Sequence, residues 1–207
     1  MKRVTKISLV FFLTIIFFQL SAEIVPAQIT SCAVTKVGNP AGQPVIPPEC
    51  QTNISGDAKV LAQQILVNSN IHLSPEARGD LQAVVDGKMI NNTSSCGNSV
   101  TVHPALLKVI LQLGQKHAYD VWNIITGHAC DRFYHPKGRA MDIGNADGEH
   151  SWQNAAFRQD AADVLPDGAT LLQTGCPGTP PVIPRRRLIQ GDDFCTHQHI
   201  DVGIAIP

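Results

Sequence analysis

The sequence predicts an α+β fold, with helices first and short strands after them. Three observations predict it. Apolar residues recur at helical spacing in three stretches between Asp57 and Gly114. From Val121 onward that period gives way to short apolar or alternating runs, separated by Gly and Pro. The chain also carries 14 Pro and 16 Gly, which promises long loops and argues against a helical bundle. A length of 207 residues suits one domain with its own core plus irregular ends. At 43% hydrophobic the chain is too apolar to be disordered. A net charge of -1 does not suggest a nucleic-acid binder or a polybasic membrane-surface protein.

The elements follow in order. Lys2, Arg3 and Lys6 precede an apolar run from Ile7 to about Leu20, and Val25-Pro26-Ala27 supplies a small-residue cleavage site. Residues 1–27 therefore read as a secretory signal, too short in its apolar part for a membrane span. A lipidation reading at Cys32 is disfavoured by its distance from the apolar run. No other segment is a candidate transmembrane span, so none is expected after signal cleavage. Residues 28–55 form a Pro-rich segment, and residues 56–207 a single α+β domain. Helices are expected at 57–67, at 74–87 with Ser74 as cap and Pro75 in the first turn, and from Pro104 with Leu106, Ile110 and Leu113 on one face. Strands are expected at 121–126, 139–143, 169–174 and 197–204, and a further helix at 151–164 capped by Ser151.

All six cysteines follow the signal, and export into an oxidising compartment argues for disulfides. Nearest-neighbour pairing gives Cys32–Cys50, Cys96–Cys130 and Cys176–Cys195. The alternative for Cys130 is metal ligation beside nearby histidines.

Two segments carry the chemistry. One is His135-Pro136-Lys137-Gly138-Arg139-Ala140-Met141-Asp142, in which Gly138 permits a tight reversal. The other is His197-Gln198-His199-Ile200-Asp201. On a strand, His197, His199 and Asp201 share one face while Ile200, Val202 and Ile204 turn to the core. Two imidazoles so placed suit a metal site, or one ligand beside one catalytic base. His, Asp and His from separate elements would give zinc three protein ligands and leave a fourth position open, the catalytic arrangement. His72, His103 and His117 read as ordinary histidines.

The pattern His135-x-x-Gly138-x-Ala140-x-Asp142 followed late by His197-x-His199 resembles the zinc D-Ala-D-Ala carboxypeptidases. It is similar also to the murein endopeptidases, the lysostaphin-type peptidases and the hedgehog signalling domain. The resemblance spans roughly residues 104–204. It implies a small antiparallel sheet with flanking helices and one zinc ion on the open sheet face. Carried over by motif, His135, Asp142 and His199 are the metal ligands and His197 is the catalytic residue facing substrate or water. Many such carboxypeptidases have a Glu three residues before the last ligand, where this chain has Thr196. Where they carry Ser-Gly-Tyr-Arg, this chain has Thr126-Gly127-His128-Ala129, so His128 and Arg132, or else the loop with Arg185, Arg186 and Arg187, are the candidate substrate-binding residues. Glu149 is a competing base, whose plainer reading is a carboxylate at a helix start. Asp201 is expected behind the ligands.

The resemblance implies a secreted, periplasmic or wall-associated zinc peptidase whose partners are peptidoglycan stem peptides. The alternative is an inactive zinc-stabilised module that binds wall peptides or a protein partner.

Overall fold

The computed structural model describes residues 57–130, 134–192 and 194–203. The expected signal, the Pro-rich segment, the Cys32–Cys50 bridge, Arg132 and the last residues of the expected C-terminal strand lie outside them. Among the described residues are four α-helices and seven strands.

Three helices come first, as the periodicity predicts. α1 (Ala58–Val67) starts at Asp57, whose carboxylate accepts from the Lys59 and Val60 amides, and it buries Leu61, Ala62 and Ile65. β1 (Ile71–Leu73) follows. α2 (Pro75–Val85) has Ser74 as its cap and Pro75 in its first turn. α3 (Pro104–Gly114) buries Leu106, Leu107, Ile110 and Leu113, and His103 caps it through Nδ1.

The strands are β2 (Tyr119–Asn123), β3 (Ala140–Ala146), β4 (Glu149–His150), β5 (Thr170–Leu172), β6 (Ile189–Gly191) and β7 (Gln198–Asp201), with α4 (Ala155–Val164) between β4 and β5. They form one sheet in the order β1-β2-β3-β7-β5-β6, with β4 on β3. The expectation of an antiparallel sheet needs correction, because the sheet is mixed. Its centre, β2-β3-β7-β5, is antiparallel, but β1 runs parallel to β2 and β6 parallel to β5. Parallel neighbours need long connections. α2 and α3 supply one between β1 and β2, and the loop carrying Arg185 to Arg187 supplies the other. Tyr119, Val121, Met141, Ile143, Leu171, Ile200 and Val202 join the helices in one buried core.

Two boundaries differ from expectation because of side-chain partners. The run 121–126 does not remain a strand, although Ile124 and Ile125 are fully buried. Buried Asp80 diverts it: the Ile125 and Thr126 amides donate to Asp80 Oδ2 at 2.8 Å each, and the Thr126 hydroxyl donates to Oδ1 at 2.6 Å. Ser151 caps no helix; its hydroxyl donates to the Ile143 carbonyl at 2.5 Å, and α4 is capped by Asn154. Gln198 and Ile200 of β7 face the core, where the fully buried Arg158 of α4 donates to the Leu172 carbonyl and to Gln198 Oε1.

His117 is not an ordinary histidine. It is 6% exposed and held between two carboxylates, Nδ1 at 2.6 Å from Asp147 Oδ2 and Nε2 at 3.0 Å from Asp160 Oδ2. It ties the end of α3 to the β3–β4 turn and to α4. Burial opposes its protonation, but the two carboxylates prevail and raise its pKa. Burial would raise Asp147 and Asp160, yet hydrogen bonds from His117 and, at Asp160, from Lys116 first, lower both.

The sign of the pH dependence follows. The raised imidazole contributes stability below its unfolded pKa of about 6.5 and loses it as pH climbs through the higher folded value. The lowered carboxylates contribute above about 3.9 and lose it as pH falls. The His117 clamp therefore stabilises most between roughly pH 4 and 6.5. Thermal melts across pH 3 to 9 are expected to show His117→Gln losing most of its Tm relative to wild type in that window, with the two curves converging above it. Parallel curves at every pH would remove the clamp from the account.

Candidate metal centre

The β3–β7 ladder sets the first two groups. Asp142 pairs directly with His199 in the antiparallel register, so their side chains stand side by side on the face opposite Met141 and Ile200. The third group, His135, opens a short 3-10 turn (His135–Lys137) that ends at Gly138 with φ 65°. Gly138 is the reversal the sequence predicts, and the reason for glycine is twofold. The backbone is left-handed, and a Cβ there would lie 2.1 Å from the Thr101 carbonyl oxygen. The Gly138 carbonyl also accepts from the His103 amide at 2.8 Å, docking the turn on the segment before α3.

Three donor atoms converge. His135 Nε2 lies 3.2 Å from Asp142 Oδ1 and 3.3 Å from His199 Nδ1, and His199 Nδ1 lies 3.0 Å from Asp142 Oδ1. A tetrahedral ion with bonds of about 2.0–2.1 Å has ligand–ligand edges of about 3.3–3.4 Å, so the triangle is the size of a tetrahedral metal site. His135 Nδ1 donates to the Ile124 carbonyl at 2.7 Å, which turns Nε2 inward as the lone-pair nitrogen. Beyond His199, its Nε2 faces Asp201 Oδ2 at 3.8 Å, while Asp201 Oδ1 accepts from the Gly203 amide at 2.8 Å. Asp201 thus stands behind His199. Two overlapping groups around this point could hold a metal ion, His128 with His135 and Asp142, and Asp142 with His197 and His199.

Two more imidazoles border the triangle. His197 Nε2 is 3.2 Å from Asp142 Oδ1, and the Thr196 hydroxyl is 2.9 Å from His197 Nδ1. His128 stacks on His135 with ring centres 3.9 Å apart, and its Nε2 is 3.8 Å from Asp142 Oδ2. Both remain partly open, His128 at 25% and His197 at 15% side-chain exposure, whereas His135 is fully buried.

The electrostatics follow from one buried anion among four imidazoles. Burial would raise the Asp142 carboxyl, but hydrogen bonds from His135, His197 and His199 outweigh it and hold it far below the carboxylate range. Burial would lower His199, but Asp142 and Asp201 push it up to about 9. A cation bound here would have to displace the proton that His199 holds more tightly than a free imidazole does.

Other sequence candidates are placed elsewhere. Glu149 belongs to β4 and pairs with Ala146, four residues and about 13 Å along the strand from Asp142. It neither starts a helix nor joins the cluster. Cys130 is bonded to Cys96, which overturns its reading as a ligand, and Cys176 is bonded to Cys195. Arg185 pairs with Asp163 of α4 at 3.3 Å, and Arg185, Arg186 and Arg187 are exposed. The sequence reading passed over Trp122. It lies on the site face, 41% exposed, 6.2 Å ring to ring from His197, over the bare Cα of Gly144. The pairing of an exposed aromatic with a glycine on the neighbouring strand is visible only once β2 and β3 are aligned. Among the described residues, no helix is long and apolar enough to cross a membrane.

Comparison with protein-family models, curated proteins and solved structures finds no match.

Three substitutions test the geometry. Gly138→Ala is expected to destabilise by more than ~1 kcal/mol and to weaken zinc binding by displacing His135, read by thermal melts and competition with a chromophoric chelator. In the same titration Asp142→Ala is expected to abolish tight binding. Asp201→Ala should cost about 10–100-fold, the range for a group that orients a ligand. Equal losses at Asp142 and Asp201 would show that the wrong carboxylate has been placed in the triangle.

Proposed function

We propose that this chain is an exported zinc peptidase that hydrolyses peptidoglycan stem peptides, of the D-Ala-D-Ala carboxypeptidase or murein endopeptidase type, with a hedgehog/DD-peptidase-like fold. The observation that carries the reading is the convergence of His135 Nε2, Asp142 Oδ1 and His199 Nδ1 with partly open imidazoles beside them. The mixed sheet with helices packed on one face is compatible with that fold.

The roles divide by burial and reach. His135, Asp142 and His199 would hold the ion. When bound, the ion supplies Lewis-acid polarisation of the scissile carbonyl and acidifies water. His197 takes the proton of the attacking water and returns it to the leaving amine as the C–N bond breaks. In the tautomer that serves as base, His197 Nδ1–H donates to the Thr196 hydroxyl oxygen and Nε2 faces the cluster as the lone-pair nitrogen. An imidazole can serve at neutral pH, its unperturbed pKa being about 6.5. His128 and Arg132 contact the substrate, Arg132 through its terminal carboxylate. Two disulfides fit an extracellular setting.

One observation favours a second reading, a zinc-stabilised module that binds wall peptides without cleaving them. Thr196 occupies the position where the resembling carboxypeptidases carry their catalytic Glu, and the carboxylates nearest the donor triangle are taken up as ligand (Asp142) and ligand support (Asp201). Turnover separates the two. Purified mature protein incubated with stem peptides, with and without a chelator, is expected to release D-Ala or cleaved cross-links only when zinc is present. No cleavage at full zinc occupancy would replace the peptidase with the module. Within an active protein, His199→Ala is expected to lose zinc and activity together. His197→Ala should keep most of its zinc and lose about 10²–10⁴ in rate. A fully active His197→Ala would move the base elsewhere.

A further inference from the structure

The two partly open imidazoles have the same relation to the two disulfides. Cys130 follows His128 by two residues and is bonded to Cys96; Cys195 precedes His197 by two residues and is bonded to Cys176. The three buried donors are held differently. Asp142 and His199 sit inside the β3–β7 ladder. His135 is fixed by its hydrogen bond to the Ile124 carbonyl and by the seat of Gly138. His128 and His197 lie outside the strands, since β2 ends at Asn123 and β7 begins at Gln198.

The local contacts run toward the imidazoles. Asn92, in the loop that carries Cys96, donates to the Thr126 hydroxyl at 2.8 Å, two residues before His128. Gln173, three residues before Cys176, donates from its side chain to the His197 carbonyl at 2.7 Å. Cys96 and Cys195 both have left-handed backbone, φ 57° and 56°, and Gln173 has φ 69°. L-residues take that conformation at a cost and keep it where the surroundings over-determine it. The crosslinks and these hydrogen bonds do so here.

We infer that the two disulfides are positioning elements, Cys96–Cys130 for His128 and Cys176–Cys195 for His197, while the β3–β7 ladder and the Gly138 turn position the triangle of His135, Asp142 and His199. The consequence for catalysis rests on the peptidase reading; the positioning itself does not. Removing one bond loosens one imidazole and leaves both the other imidazole and the metal in place.

The test uses the full zinc-loaded protein and needs no substrate. Histidines are carbethoxylated with diethyl pyrocarbonate and the modified positions are read by peptide mass mapping, with bound zinc measured in parallel. Cys96→Ser/Cys130→Ser is expected to raise the modification rate of His128 several-fold and leave His197 unchanged. Cys176→Ser/Cys195→Ser should do the reverse, and both should retain one equivalent of zinc. Should either variant fail to fold, the wild-type holoprotein is reduced with a water-soluble phosphine. Each disulfide takes two electrons and two protons as the phosphine gains a water oxygen and becomes its oxide, and both histidines should then become reactive with zinc retained. Unchanged reactivity, loss of zinc with either bond, or equal loosening of both histidines by either pair would overturn the inference and make the bridges general staples. Absence of turnover in wild type would remove the peptidase reading and leave the footprint pattern standing.

Discussion

A buried carboxylate is the constraint on which the rest of this molecule depends. Asp142 is 3% exposed, and a charge at that depth is costly unless several donors or a cation face it. Its partners come from three separate parts of the chain: the 3-10 turn, the strand β7 and the loops ahead of both. The β3–β7 register is therefore held by chemistry as well as by apolar packing. A slip of one residue would carry Asp142 and its neighbours to the opposite face and leave Met141 or Ile143 in their place. The same argument reaches Gly138, because only a turn that fits against Thr101 brings His135 Nε2 to the carboxylate.

The remainder of the fold prepares that site from behind. Helices cover the Ile200 face of the sheet and leave the His199 face for chemistry. Asp80, buried on α2, bends the chain out of β2. Ile124 then presents its carbonyl to His135 where a longer strand would have spent it on a neighbour. His117, far along the sheet, has the opposite character to the site: an imidazole satisfied on both nitrogens by carboxylates, with no donor left for a ligand. The two histidine environments show why the residue type alone says little. What distinguishes them is whether the ring nitrogens are consumed by fixed partners or converge on a shared point.

The chemistry has a matching division. The side chains that would hold an ion are buried and tied to the β3–β7 ladder and the Gly138 turn, and the partly open imidazoles lie at loop ends. A ligand needs constant geometry, whereas a proton-transfer group needs access to water and substrate.

Much of this was legible in the primary structure because it depends on local rules. Helical periodicity with Ser74-Pro75 and Pro104 marked the three helices, and the cysteine order paired Cys96 with Cys130 and Cys176 with Cys195. The family resemblance carried by His135, Gly138, Asp142, His197 and His199 named residues that do converge, while local periods gave only the turn at Gly138 and the shared face of His197 and His199. Other features depend on partners distant in the chain. The parallel edges of the sheet follow from where long connections return. The early end of β2 follows from Asp80, forty-odd residues upstream. The structural work of His117, the non-capping Ser151 and the placement of Trp122 over Gly144 each required a neighbour that sequence order does not supply. The residue types and local turns were determined by the sequence itself, because backbone sterics and side-chain period act over a few residues. Which imidazoles share one carboxylate, and which are held apart from it, was decided only by the tertiary structure, because that depends on strand pairing and on desolvation in a closed core.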